Sequence, residues 1–126
     1  LYALPVMQPD SEEWYAQSFP SFFAHYDYVA IEAMPFMENA EKPDVWLKEL
    51  SRRVSSYPDG LKKTVFELQS VDWKTQQPVP SDTFISQIKL LKNSGTIHFG
   101  YYPDNVFNNQ PNLDVLKKHL AVDVLP

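Results

Sequence analysis

Rings and carboxylates cluster directly behind short apolar runs in this chain. Phe36-Met37-Glu38 follows Tyr28–Met34, Asp72-Trp73 follows Thr64–Gln69, and Tyr102-Pro103-Asp104-Asn105 follows Thr96–Tyr101. A fourth run, Leu1–Met7, leads into Gln8-Pro9-Asp10, with Trp14 close behind. Such a set could grip a sugar. A flat ring covers the apolar face of a pyranose while carboxylates and carboxamides take its hydroxyls. Trp73 beside Asp72 is suited to that task; its plainer role is to close the top of the core. Tyr101 and Tyr102 must point to opposite sides of a strand, so one ring, taken as Tyr102, goes to the ligand with Asp104. Asp104 has a plainer reading too, as the turn former that Asp often is after a proline. Cleavage of a glycosidic bond needs two carboxyls roughly 5 to 9 Å apart. Glu38, Glu67 and Asp104 are the candidates to form such a pair. Glu38 is the acid best placed at a strand end, its alternative being a solvated loop Glu. Glu67 sits inside an apolar strand, where an unpaired carboxylate is costly, so it must meet a polar cavity or a Lys. Trp14 lies on an apolar stripe, which suits core packing, yet close enough to the strand ends for a place in a groove. Trp46 reads as core and His98 as a buried structural histidine.

A strand followed by a helix, repeated about every 30 residues, would position these groups. The four runs predict four parallel strands, and ligand sites in such sheets form just past the strand C-termini. Asp10 and Glu13 have capping-box spacing. Trp14, Ser18, Phe22 and Tyr26 share a helical face, and Pro20 predicts a kink or two short helices in place of one straight rod. Pro43 opens a second helix with a stripe of Trp46, Leu47, Leu50 and Val54, ended by Tyr57-Pro58-Asp59-Gly60. Lys74–Pro80 reads as loop. Ser81 or Asp82 caps a third helix carrying Phe84, Ile85, Ile88 and Leu91, and Gly95 terminates it. Pro111 opens a last helix with Leu113, Leu116 and Leu120 in line. A complete (β/α)8 barrel takes about 250 residues, twice the 126 here. Four units therefore make either a small open sheet or the C-terminal half of a barrel. An open sheet would have two edges without protecting charge, which favours the half-barrel.

Composition narrows the function. The net charge of −5, with no long block of like charge, argues against nucleic acid. No run is long and apolar enough to cross a bilayer. The chain holds no cysteine, excluding thiol chemistry and Cys zinc sites, and its three histidines are far apart, so no metal is expected. Only three glycines occur, none in a phosphate-binding pattern. The chain starts in an apolar run without Met, as an excised piece would.

The motifs Tyr28–Glu38, Phe66-Glu67-Leu68-Gln69 with Asp72-Trp73, and Gly100-Tyr101-Tyr102-Pro103-Asp104-Asn105 with Asn109-Gln110-Pro111 resemble the C-terminal domain of the PgaB/HmsF family. These are bacterial poly-β-1,6-N-acetyl-D-glucosamine N-deacetylases, and the resemblance runs through essentially the whole chain. It implies that residues 1–126 are the C-terminal half of a glycoside-hydrolase-like barrel. An N-terminal deacetylase domain, and the divalent metal it uses, would lie outside this chain. The implied ligand is partly deacetylated poly-N-acetylglucosamine, bound in an aromatic and acidic groove and in some members cleaved. The implied location is the periplasm, at the outer membrane, in biofilm export. Trp14 and Trp73 match sugar-binding positions, whereas the acids for cleavage fall upstream of Leu1. Glu38 and Asp104 then position sugar, and Asp72 and Asn105 add hydrogen bonds. Glu32, where an apolar residue is usual, and Pro20 depart from the pattern. The implied partners are the polymer and either the rest of the barrel or a second copy at the open sheet edges. The rival reading is a carbohydrate-binding module without cleavage.

Overall fold

The computed structural model describes residues 1–120. Three of the apolar runs form a parallel sheet in the order β1 (Val29–Ala33), β2 (Thr64–Gln69), β5 (His98–Tyr102). A short antiparallel hairpin, β3 (Val71–Asp72) with β4 (Gln77–Pro78), springs from the end of β2. The helices are α1 (Leu4–Met7), α2 (Glu12–Tyr15), α3 (Phe19–His25), α4 (Pro43–Ser55), α5 (Gly60–Lys63), α6 (Ser81–Asn93) and α7 (Leu113–Leu120).

Strand alternation divides the sheet into two unlike faces. Ile31 lies in register with Phe66 and Phe66 with Phe99. On that side Val29, Ile31, Ala33, Phe66 and Leu68 are buried against Leu47, Leu50 and Val54 of α4 and Phe84, Ile88 and Leu91 of α6. Each fully buried Leu, Ile or Phe contributes about 1.5–3 kcal/mol, so this layer fixes the sheet. Trp46 packs against it, half-buried, as its place on the stripe predicts. The other face carries Ala30, Val65 and His98 in one row and Glu32, Glu67 and Gly100 in the next. Ala30 is exposed and the others are half-buried. His98 therefore sits on the polar face, its ring 5.2 Å from that of Tyr28, and not in the apolar layer.

The first run departs from expectation. Leu4–Met7 is a helical turn with Pro5 in its first positions, burying Ala3, Pro5 and Val6. Pro5 lacks a donor for a ladder but fits a first helical turn, and a short apolar run does not reveal its period. Leu1 alone behaves as strand: its N–H donates to Ala30 O and its carbonyl accepts from Glu32 N, both at 2.9 Å.

Three local expectations also change. The first helical region divides into two short helices as expected, but the break falls at Ala16, which is left-handed (φ 50°), while Pro20 occupies the first turn of α3, where a missing N–H costs nothing. The Asp10–Glu13 box does not form; Ser18 caps α3 instead, its hydroxyl accepting from Ser21 N. Pro80, and neither Ser81 nor Asp82, holds the N-cap position of α6. Gly95 ends the α6 segment as predicted, with φ +89°. Gly60 lets the chain double back into β2: a Cβ there would lie 1.9 Å from Val54 O.

Candidate functional site

The parallel strands bring three loops to one edge. Two buried side chains at successive positions tie them together. Gln69, 1% exposed, accepts from Met37 N at 3.1 Å and donates to Val71 O at 2.7 Å, joining the loops behind β1 and β2. Ser70 joins the loops behind β2 and β5: its N–H donates to Tyr102 O at 2.9 Å, its hydroxyl to Pro103 O, and its carbonyl accepts from Val79 N at 2.9 Å. Buried backbone groups left unpaired would be costly, so these bonds hold the rim in place. Nothing in the residue types marked Gln69 and Ser70 beyond polarity at the end of an apolar strand.

On this base stands an aromatic corner. Trp73 lies at the tip of the β3–β4 hairpin, half-buried, with its ring centroid 5.8 Å from that of Tyr102 and tilted by 44°. Tyr102 is 55% exposed. Tyr101 turns to the helix side, edge-on to Phe84 at 6.2 Å, so the two tyrosines divide as strand alternation predicts. The Tyr101 hydroxyl is pushed above its ordinary pKa by burial, and further by the Asp104 charge. Asp104 is exposed behind this strand end.

Asp72 and Asn105 hold turns. Asp72 Oδ1 accepts from Lys74 N at 2.9 Å, and its carbonyl accepts from Gln76 N, which closes the hairpin. Asp72 also lines a cavity of about 560 Å3 with Phe36, and neither Trp73 nor Tyr102 borders that cavity. Asn105 Oδ1 accepts from Asn108 N, and the residue bridges to Gln110, closing a loop whose tip, Phe107, is 98% exposed. Hydrogen bonding to sugar from these two residues would rely on what those turns leave free.

The acids form a separate group. Glu32 and Glu67 are register partners on the polar sheet face, with side-chain-free Gly100 on the far side of Glu67. Glu32 Oε2 is buried without a hydrogen-bond partner. Its carboxyl is raised above the ordinary value, first by burial; the Leu1 amino group opposes this, and Glu67 and Glu38 add to it. Glu38 is half-buried and raised by burial. Alternation in Val29-Ala30-Ile31-Glu32-Ala33 was the signal that could have aimed Glu32 away from the core. Glu67 meets this polar surface and pairs with no Lys among the described residues. Trp14 stands 75% exposed on α2 and borders none of the cavities described at the strand ends.

Residues 1–102 match hypothetical glycosyl hydrolase family 13. The chain is 37% identical over 131 aligned positions to the poly-beta-1,6-N-acetyl-D-glucosamine N-deacetylases of Escherichia coli K12 and O157:H7, covering 100% of this chain and 20% of each. It thus spans about a fifth of the length of the curated relatives it matches. The PgaB (BpsB) glycoside hydrolase domain from Bordetella bronchiseptica superposes with a TM-score of 0.92 at 41% identity, over 98% of this chain and 35% of that one. The resemblance carried by the motifs is therefore borne out, as is the α/β, TIM-barrel-type fold, its parallel sheet having three strands among the described residues where four were expected. With most of its residues inside the family match, the chain belongs to hypothetical glycosyl hydrolase family 13.

Proposed function

We propose that this chain is the C-terminal half of a glycoside-hydrolase-like barrel and supplies the sugar-stacking wall of a poly-β-1,6-N-acetyl-D-glucosamine groove. The observation that carries the reading is the Trp73–Tyr102 corner, where a ring from the hairpin tip meets the ring of the last residue of β5. Trp73 and Tyr102 cover the apolar face of a sugar, Asp104 takes hydroxyls, and Trp14 extends the stacking surface. Glu38, Glu67 and Glu32 give the groove negative potential, which favours protonated glucosamine units over neutral acetylated ones. The half-barrel reading is supported by β5, whose outer edge pairs with no strand among the described residues. The rest of the barrel completes that edge, in preference to a second copy of this chain.

The acids that break the glycosidic bond belong to the other half of the barrel, and the deacetylase activity of the parent protein, with its divalent metal, to a further domain. The parent acts in the periplasm at the outer membrane, on exopolysaccharide destined for biofilm. Titration of the full-length polypeptide with acetylated and deacetylated oligomers tests the groove. Tighter binding of the deacetylated oligomer, weakening with salt, is expected; equal affinity at low salt overturns the electrostatic part. Shortened oligosaccharides after incubation identify a hydrolase, and unchanged chains a binding module.

A further inference from the structure

Phe107 is 98% exposed at the tip of the loop behind β5, and Val106 beside it is 63% exposed. Phenylalanine is among the residue types most often buried, so a ring held out in water calls for a reason. The loop is braced against folding it back. Asn105 and Gln110 exchange both backbone hydrogen bonds, at 2.8 and 3.0 Å, which closes the root of the loop. Asn105 Oδ1 accepts from Asn108 N at 3.2 Å and holds the helical turn Val106–Asn108. Asn109 ends that turn in the left-handed region (φ 50°), and its Oδ1 accepts from Leu113 N at 3.0 Å, anchoring the loop on α7. Nearer the sheet, Ser70 ties the same segment to β2 through Pro103 O. A ring presented on so braced a loop gives up little conformational freedom when something binds it.

The place of the ring and its neighbours in the chain select what it binds. The loop springs from the C-terminal end of β5, whose last residue, Tyr102, is half of the aromatic corner. Five steps of chain lead from Tyr102 to Phe107, a reach of at most about 18 Å. A polymer lying on the corner can therefore meet the tip within a few sugar units. Flanking the ring are Asn105, Asn108 and Asn109, all exposed. Asn105 and Asn109 commit Oδ1 to main chain and keep Nδ2 as a donor, while Asn108 offers a donor and an acceptor. A flat ring among neutral carboxamides suits a sugar, whose C–H face covers the ring while its hydroxyls meet the amides. Val106 is the only other apolar residue from Asn105 to Gln110, too little to continue a protein-docking surface. The same stretch has no Lys or Arg to hold a phosphate or an anionic lipid surface. We infer that Phe107 is an outlying stacking subsite for a hexosamine unit of the polysaccharide that occupies the aromatic corner. The choice of polysaccharide rests on the reading above; the subsite itself rests on the exposed ring and its braced loop. Its contacts are apolar and neutral, so it lengthens the grip on the polymer without reading acetylation, which is left to the acids of the polar sheet face.

Calorimetric titration of the full-length polypeptide tests this, with β-1,6-linked glucosamine disaccharide and hexasaccharide and the N-acetylated hexasaccharide as probes. Phe107→Ala should weaken both hexasaccharides by about fivefold, the worth of one exposed ring contact. It should leave the disaccharide unchanged, and the loss should be as large at high salt as at low. Phe107→Trp should bind the hexasaccharides at least as well as wild type, and Phe107→Leu, apolar but not flat, should bind them as the Ala variant does. The melting temperature of Phe107→Ala should equal that of wild type, because the ring lies outside the core. Unchanged hexasaccharide binding by the Ala variant overturns the inference, as does an equal loss for disaccharide and hexasaccharide. A lowered melting temperature also overturns it, since the ring would then be covered by another part of the polypeptide. If Trp73→Ala loses binding of every oligomer while Phe107→Ala loses none, the subsite fails and the polysaccharide reading stands. If wild type binds no oligomer at all, the polysaccharide reading fails and takes the subsite with it.

Discussion

Trp73 and Tyr102 are 29 positions apart in the chain, yet their rings meet at 5.8 Å with a 44° tilt. Neither ring is sealed in the core, so truncating either should cost ligand and spare the fold. Trp73→Ala is expected to weaken oligosaccharide binding by about 2 kcal/mol, roughly thirtyfold in Kd. Tyr102→Ala should lose a similar amount. Calorimetric titration measures the first effect and thermal melting the second. A Trp73→Ala variant that binds as wild type would remove the corner from the site.

Gln69→Leu should do the opposite, damaging the fold before the ligand surface. It strips partners from Met37 N–H and Val71 O, two backbone groups near the buried end of β2. Leaving both unpaired should destabilise by about 2–4 kcal/mol. Urea midpoints report this, and Gln69→Glu, which retains an acceptor for Met37 N–H, should fall between Leu and wild type.

Glu32 predicts a pH dependence with a definite sign. Burial raises its folded-state pKa, so the native state holds the proton to higher pH than the unfolded chain does. The stability this contributes is fully present below the ordinary carboxylate value and is lost as pH rises through the raised value. Glu32→Gln should therefore melt above wild type at pH 7, with the difference shrinking toward pH 4. A gain of the same size at both pH values would contradict the assignment.

The two glycines at turns should differ in tolerance. Gly60→Ala drives a Cβ to within 1.9 Å of the Val54 carbonyl oxygen, and rigid backbone must move. A loss of about 3 kcal/mol or more is expected, at the upper end of overpacking effects. Gly95→Ala meets only the tip of Leu61 at 3.3 Å but must hold φ +89°, a penalty of about 1–2 kcal/mol. Melting temperatures in the order wild type, Gly95→Ala, Gly60→Ala would bear this out.

What the residues disclosed depended on whether the signal was local. β2 occupies Thr64–Gln69 as expected, because alternation and a following loop define a strand without outside help. α4 begins at Pro43 and α6 carries its predicted stripe for the same reason. Leu1–Met7 misled because an apolar run that short fits a strand or a helical turn, and burial of Ala3 and Val6 against α4 decided it. The β3–β4 hairpin, whose second strand falls in the Lys74–Pro80 segment expected as loop, lay hidden because its strands are two residues each and follow from the turn that Asp72 nucleates. Trp73 and Tyr102 were legible as candidate site residues by type, and the structure brings their rings together. The tethers Gln69 and Ser70 were not legible, because their roles exist only once distant loops are packed side by side.

The pair of tethers at positions 69 and 70 has a consequence for how this rim can be altered. Both side chains spend their bonding capacity on main-chain atoms of neighbouring segments, so the roots of the three loops behave as one mechanical part. The hairpin tip from Trp73 to Gln76 hangs clear of those tethers. Residues can be exchanged at that tip to retune what is held, whereas lengthening any loop at its root would shift all three at once.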